Sequence, residues 1–257
     1  MTVALSFTEQ GQGPPLVILH GLFGSKRNWG VVAKALAINH HVYCLDLRNH
    51  GASPWAKDMT YQALADDVAA FLHHHDLAPC TLIGHSMGGK TAMMLALREP
   101  KLVRRLGVVD IAPVPRETDI GTYIQVMTNV PLQSCQNRAD VDKHLSAAIT
   151  NSSLRQFLLQ NLEREHEGLR WRLNLAALDA GLEDIADFSA PPHAKYPGPS
   201  LFIIGEKSDY VQSHHMSTIK SLFPNFETTT ILGAGHWVHA ESQEAFLKVV
   251  EDFLNRP

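Results

Sequence analysis

A serine set between glycines, Gly84-His85-Ser86-Met87-Gly88, follows the short apolar run Thr81-Leu82-Ile83 and precedes a helix-compatible run, Lys90 to Leu97. A Gly-x-Ser-x-Gly segment in that setting can form a sharp strand-to-helix turn that lifts the serine hydroxyl into the open. The turn is so tight that only small residues fit two positions to either side. It also aims backbone N–H groups at the helix start toward a reacting carbonyl. The chemistry on offer is nucleophilic attack on an acyl carbon. A chance glycine-rich turn is the bland reading, and the strand before and the helix after weigh against it.

Attack on a carbonyl creates an oxyanion that needs donors fixed in advance. His20-Gly21-Leu22-Phe23-Gly24-Ser25 follows the apolar run ending at Leu19 and can turn the N–H of Leu22 toward the serine. With the N–H of Met87 it would make a two-donor hole. The serine also needs a base. Fifteen histidines compete, and the clusters His40-His41, His73-His74-His75 and His214-His215 invite a metal reading. Neighbours on a helix point about 100° apart, and no carboxylate or cysteine sits at a ligand spacing, so these read as solvated. His236, in Gly233-Ala234-Gly235-His236-Trp237, lies just past the last strand-like run and before the last helix-like one. It is the candidate base; a buried turn histidine is the alternative.

An acid should hold that imidazole in the productive tautomer and offset its charge. Asp110, ending the run Arg105 to Val109, and Asp209, in the loop after Ile204, both lie between Ser86 and His236 in the chain. Either could instead cap a helix or a turn. Phe23 and Trp237 flank the reacting groups and are candidates to line a substrate pocket, with core packing the equal alternative. Lys90 and Arg48 read as structural or solvated.

Positioning these groups requires a scaffold. Leu16-Val17-Ile18-Leu19, Val42-Tyr43-Cys44-Leu45 and Thr81-Leu82-Ile83 nearly lack polar residues, as strands covered on both faces do. Between them lie amphipathic stretches, Val31 to Ile38 and Tyr61 to Leu72. In the second, Leu64, Val68, Phe71 and Leu72 share a helical face while Asp66 and Asp67 point elsewhere. The alternation predicts a mostly parallel α/β sheet flanked by helices. In such a sheet, loops leaving the carboxyl ends of the strands share one edge, where Ser86, the acid and His236 can meet.

The texture changes after Pro113 and Pro115. Residues 116–190 read as mainly helical, with Val141, Leu145 and Ala148, then Leu154, Phe157, Leu158 and Leu162, in helical register. Trp171-Arg172-Leu173 reads as a short extended piece. A proline-rich stretch from Pro191 to Pro199 closes the insertion. Strand-like Leu201 to Ile204, helix-like His214 to Leu222, strand-like Thr228 to Ile231 and a final helix from Glu241 to Leu254 follow. The expectation is a core of residues 1–115 and 191–257 with a helical cap at 116–190.

Composition narrows the function further. With 22 basic against 26 acidic residues the 257-residue chain carries a net charge of −4, a poor match to a polyanion. Lys101, Arg104 and Arg105 are the nearest thing to a basic cluster and read as a solvated face, so nucleic acid is not the expected partner. Cys44, Cys80 and Cys135 are odd in number and far apart, which excludes a disulfide framework and a CxxC motif. The first ten residues lack the pattern of a secretory signal, and no apolar run reaches the ~18 residues of a membrane span. A cytoplasmic protein without membrane attachment is expected. Neither a Walker loop nor a dinucleotide fingerprint is present.

Taken together, these residues resemble the α/β-hydrolase superfamily, and within it the bacterial YbfF-type esterases. The resemblance rests on His20 to Ser25, Arg48-Asn49-His50-Gly51 with Ser53-Pro54, Gly84 to Lys90, Asp110-Ile111-Ala112-Pro113-Val114, and Gly233 to Ala240. It implies a cofactor-free, metal-free hydrolase of small-molecule carboxylic esters, with acyl thioesters as a further substrate class. By the family pattern Ser86, Asp110 and His236 form the triad, and Leu22 and Met87 lend the oxyanion N–H groups. Many relatives place the acid three residues after the glycine that ends the next strand. Here that slot, counted from Gly205, holds Ser208, with Asp209 one place later, which favours Asp110. A carbon–carbon lyase, a perhydrolase or a non-catalytic binding protein built on the same parts are the rival expectations.

Overall fold

The computed structural model describes residues 1–116, 119–166 and 168–256. The first strands are β1 (Phe7–Gln10), β2 (Pro15–Leu19), β3 (His41–Leu45), β4 (Cys80–His85) and β5 (Val103–Val109). The inner ones form on mostly apolar, often β-branched runs, while β1, Phe-Thr-Glu-Gln, is polar and only partly buried. In β2, Leu16 and Ile18 face one hydrophobic layer while Val17 and Leu19 face the other, all fully buried. That is the period-two alternation of a strand covered on both sides. Helices α1 (Gly30–Leu36), α2 (Tyr61–His74) and α3 (Met87–Arg98) supply the cover. Thr60 starts α2 by accepting the N–H of Ala63 at 3.3 Å.

Between β5 and the next core strand lie α4 (Ile120–Thr128), α5 (Arg138–Ser146) and α6 (Ser152–Leu159), a hairpin of β6 (Leu162–Glu165) and β7 (Gly168–Trp171), then α7 (Leu175–Ala180) and α8 (Leu182–Ala186). Asparagines cap three of these helices: Asn137, Asn151 and Asn174. The core then resumes with β8 (Ser200–Gly205), α9 (Met216–Leu222), β9 (Phe226–Ile231), α10 (Val238–Glu241) and α11 (Gln243–Leu254). Strand order is β1-β3-β2-β4-β5-β8-β9, with β1 antiparallel to β3 and the remaining pairs parallel. Helices α1 and α11 pack on one face; α2 and α3 pack on the other. The carboxyl ends of β2, β4, β5, β8 and β9 therefore open on one edge.

Several readings of the sequence need correction. Leu162 belongs to a strand rather than to the helix begun at Leu154, and the extended piece ends at Trp171 instead of starting there. Cross-strand pairing of Leu162 with Trp171, reinforced by Glu163 against Arg170 and Arg172, overrides the helical spacing. Asp67 does not face away from the core. It is fully buried, and Arg48 grips both its oxygens at 2.6 and 2.8 Å. Arg105 is likewise buried, bonded to the carbonyl of Arg256, and so leaves the solvated face of Lys101 and Arg104. Cys44 and Cys80 are buried thiols whose pKa burial pushes up to about 12. Among the described residues no helix is long and apolar enough to cross a membrane.

Candidate active site

Ser86 occupies the turn between β4 and α3 with φ 50° and ψ −116°, a backbone state that non-glycine residues rarely adopt. Its neighbours explain why the chain can hold it. A Cβ at Gly84 would lie 2.1 Å from the carbonyl oxygen of Gly88, and one at Gly88 would lie 2.5 Å from that of His20. The elbow closes only with both side chains missing. The Ser86 N–H donates to the Val109 carbonyl at 3.0 Å, tying the turn to the end of β5.

Asp110 follows β5 at once, also at positive φ, with its N–H on the Ile203 carbonyl at 2.8 Å. Its carboxylate is fully buried yet meets three donors: the N–H of Gly205 at 2.9 Å, the hydroxyl of Ser208, and Nδ1 of His236 at 2.7 Å. A buried carboxylate needs such partners to offset its lost hydration. The bond to Nδ1 fixes the tautomer that leaves Nε2 of His236 free to accept a proton. Asp209, by contrast, is 69% exposed, and its carboxylate is engaged by Nη2 of Arg116 at 2.8 Å. That hydrogen bond and the arginine's charge hold its pKa below the usual carboxylate range. The structure brings Asp110 to His236 and gives Asp209 to Arg116.

His236 is further fixed by its surroundings. The ring of Tyr210 stacks on it at 3.7 Å, and the Arg116 guanidinium lies 3.9 Å over the far side of Tyr210. His85, next to Ser86, donates from Nε2 to the His236 carbonyl at 2.9 Å. Burial, with His236 and His239 nearby, drives the His85 pKa well down, so it serves as a neutral donor. The loops carrying Ser86 and His236 are thereby joined.

Leu22 and Met87 line one narrow cavity, about 40 Å³, together with Ser86, Lys90, Arg116 and Tyr210. Lys90 is buried, and burial lowers its pKa to about 8. It donates to the carbonyls of Ala186 and Asp187, both at 3.0 Å, where α8 ends. Phe23 is buried with φ 60°, while Trp237 packs against Phe157 of α6, ring centroids 5.7 Å apart, and both rings line a cleft of about 840 Å³. His73, His74 and His214 are exposed, with His40, His41, His75 and His215 half-buried. Among the described residues no group of three or more His, Cys, Asp or Glu side chains is gathered to hold a metal.

Residues 14–243 match a family described as the alpha/beta hydrolase fold. The chain belongs to it. This hydrolase is 45% identical over 250 residues to the sn-1-specific diacylglycerol lipase ABHD11 of Xenopus laevis, covering 94% of the chain and 80% of that relative. It is 34% identical to Esterase YbfF of Escherichia coli strain K12, with 96% and 95% covered. Among solved structures, one described as a marine microorganism esterase superposes with a TM-score of 0.94 at 37% identity, covering 98% of this chain and all of that one. The hydrolase thus falls in the superfamily, near the YbfF-type esterases, as its sequence blocks indicate.

From the sequence alone Tyr210 and Arg116 had no place in this site and Ser208 no role in it, while Lys90, read as structural or solvated, is structural, tying α3 to the end of α8. Ser208 carried a signal, because it stands in the slot where many relatives keep the acid. Arg116 and Tyr210 are far apart in the chain, and only the fold stacks them.

Proposed function

We propose that this hydrolase cleaves carboxylic esters through an acyl-enzyme formed on Ser86. His236 takes the Ser86 proton as the hydroxyl attacks the ester carbonyl. The N–H groups of Leu22 and Met87 hold the oxyanion, and the protonated imidazole then delivers its proton to the departing alcohol. Water, activated by the same histidine, releases the acid. Asp110 holds the imidazole in its tautomer and stabilises the cation that forms.

The observation that carries this reading is the 2.7 Å bond from His236 Nδ1 to a carboxylate buried beside the serine elbow. The esterase and lipase names of the relatives support the same class of substrate. Residues 116–190 act as the cap, and we assign a long acyl or alcohol portion to the cleft lined by Phe157 and Trp237, which is separate from the narrow cavity at Ser86 and borders it through the residue after His236. Acyl thioesters present the same carbonyl and belong among the substrates. The deciding experiment pairs Ser86→Ala with a serine-directed phosphonate and a panel of aryl esters and acyl thioesters. A folded Ser86→Ala protein should lose about 10⁶ in turnover, and the phosphonate should label Ser86 alone. Turnover near that of the wild type in the variant would overturn the reading.

A further inference from the structure

Phe23 holds a left-handed backbone that a bulky residue adopts only when its surroundings impose it. Both of its peptide groups are gripped, and from different parts of the molecule. Its N–H donates to Nε2 of His50, in the loop after β3, at 3.3 Å. His50 is fixed in turn by donating from Nδ1 to the Arg48 carbonyl at 2.8 Å. The Phe23 carbonyl accepts from Nδ2 of Asn161, in the insertion, at 2.7 Å.

Asn161 is buried and rigidly held. Its N–H donates to Leu158, its carbonyl accepts from Arg172 at 2.8 Å, and the same side-chain amide also reaches the Leu158 carbonyl. Because a trans peptide points its C=O and N–H in opposite directions, holding one aims the other. Asn161 pulls on the Phe23 carbonyl, which turns the Gly24 N–H onto the Gly21 carbonyl at 2.9 Å. His20 Nδ1 holds that same carbonyl at 2.8 Å. The Gly21 carbonyl, so fixed, sends the Leu22 N–H the other way.

We propose that Asn161 and His50 clamp Phe23 and thereby aim the Leu22 N–H, making Asn161 of the insertion a positioning residue for the oxyanion. This rests on the proposed ester hydrolysis and adds that the insertion sets a catalytic donor as well as covering the site. Complete loss of an oxyanion donor costs about 10²–10³ in turnover, and a misaimed donor costs less.

The test compares Asn161→Asp and Asn161→Leu with the wild type. The first is nearly isosteric and sets an acceptor against the Phe23 carbonyl; the second removes the donor. Arg155→Ala serves as control, since it breaks the pair with Asp142 (2.8 Å) elsewhere in the insertion. Both Asn161 variants should lose about tenfold to a hundredfold in kcat with KM within about threefold. A trifluoromethyl ketone that mimics the oxyanion should lose affinity by the same factor as kcat/KM, and a product alcohol should not. Arg155→Ala should lower Tm without lowering kcat.

Wild-type kcat and unchanged ketone affinity in a folded Asn161→Asp protein would overturn the clamp. So would a loss that Arg155→Ala shares in proportion to its fall in Tm. Ser86→Ala separates the two ideas. If it stays active the esterase reading fails first; if it is silent while both Asn161 variants are unimpaired, the clamp alone fails.

Discussion

The carboxyl edge of the sheet and the inserted segment are built by opposite rules. At the edge, Ser86 and Asp110 both sit at φ 50°, glycines are dictated by contacts under 3 Å, and Asp110 and His85 are buried and bonded. In the insertion, short helices begin on asparagine caps, and ion pairs such as Arg170–Glu163 and Arg155–Asp142 are open to solvent to varying degrees. The edge can afford strain because the core over-determines it, and strain there aims reacting groups. The insertion has little strain to spend, so what it contributes is shape and a few reaching side chains.

The sharpest way to break this contrast is to exchange a buried aspartate for an exposed one. Asp110→Asn keeps the shape but disfavours the tautomer that leaves Nε2 free, and kcat should fall by about 10⁴. Asp209→Asn, which removes only a partner of Arg116, should change kcat by no more than roughly tenfold, as for an indirect supporting contact. Both are measured on folded protein with one aryl ester. The reverse ranking would move the acid's role to Asp209.

Acid should separate the regions next. Burial drives the pKa values of His50 and His239 to about 3, with neighbouring His20 and His236 adding to it, from 6.5 unfolded. Below about pH 6.5 the unfolded chain binds a proton at each, while the folded chain stays neutral there until near pH 3. Stability is therefore full above pH 6.5 and falls with acid by about 1.4 kcal/mol per pH unit for each histidine. His239→Phe preserves the stack on Trp29 and should flatten the slope by about one proton, read by urea unfolding between pH 6 and 4. An unchanged slope would mean that His239 titrates normally in the fold.

Much of this edge was legible in the chain. Gly-x-Ser-x-Gly after an apolar strand can be read because both glycines stand within one short segment, where Gly84 must pass close to the Gly88 main chain. Asp110 and His236 could be placed because parallel strands bring their carboxyl ends together. What escaped was set by distant residues. Leu162 repeats at helical spacing and yet pairs with Trp171, while Asp67 looked like the polar side of α2 until Arg48 reached it. Asn161 gave no signal, since its partner lies 138 residues away.

The steric rule itself can be tested at moderate cost to the protein. Gly88→Ala would set a Cβ 2.5 Å from the His20 carbonyl, and that main chain cannot give way as a side-chain tip would. Overpacking a filled site typically costs about 1–3 kcal/mol. The variant should unfold at lower urea and lose activity, because any relief moves the oxyanion loop. Glycine to alanine at Gly168, where an added Cβ would meet nothing within 4 Å beyond its chain neighbours but φ is 126°, should cost backbone strain alone and leave the elbow intact. Equal activity losses at both positions would remove the special status of the edge.

The smallest effect is expected where the two regions meet. Phe157 of α6 and Trp237, the residue after His236, face each other at 5.7 Å and line the large cleft. Neither is placed to hold a proton or an oxyanion, so replacing Phe157 should act through apolar contact with the substrate. One methylene in a hydrophobic pocket is worth about 1–3 kcal/mol in discrimination, and loss of a ring face to one side of an open cleft belongs at the lower end. Phe157→Ala should therefore lower the ratio of kcat/KM for a long-chain to a short-chain ester by about tenfold, with most of the change in KM. Trp237→Ala removes the ring packed against Phe157 and should shift the same ratio in the same direction. A loss equal for long and short chains, carried by kcat, would place these rings in the positioning of His236. The border between edge and insertion would then lie farther out than the cleft.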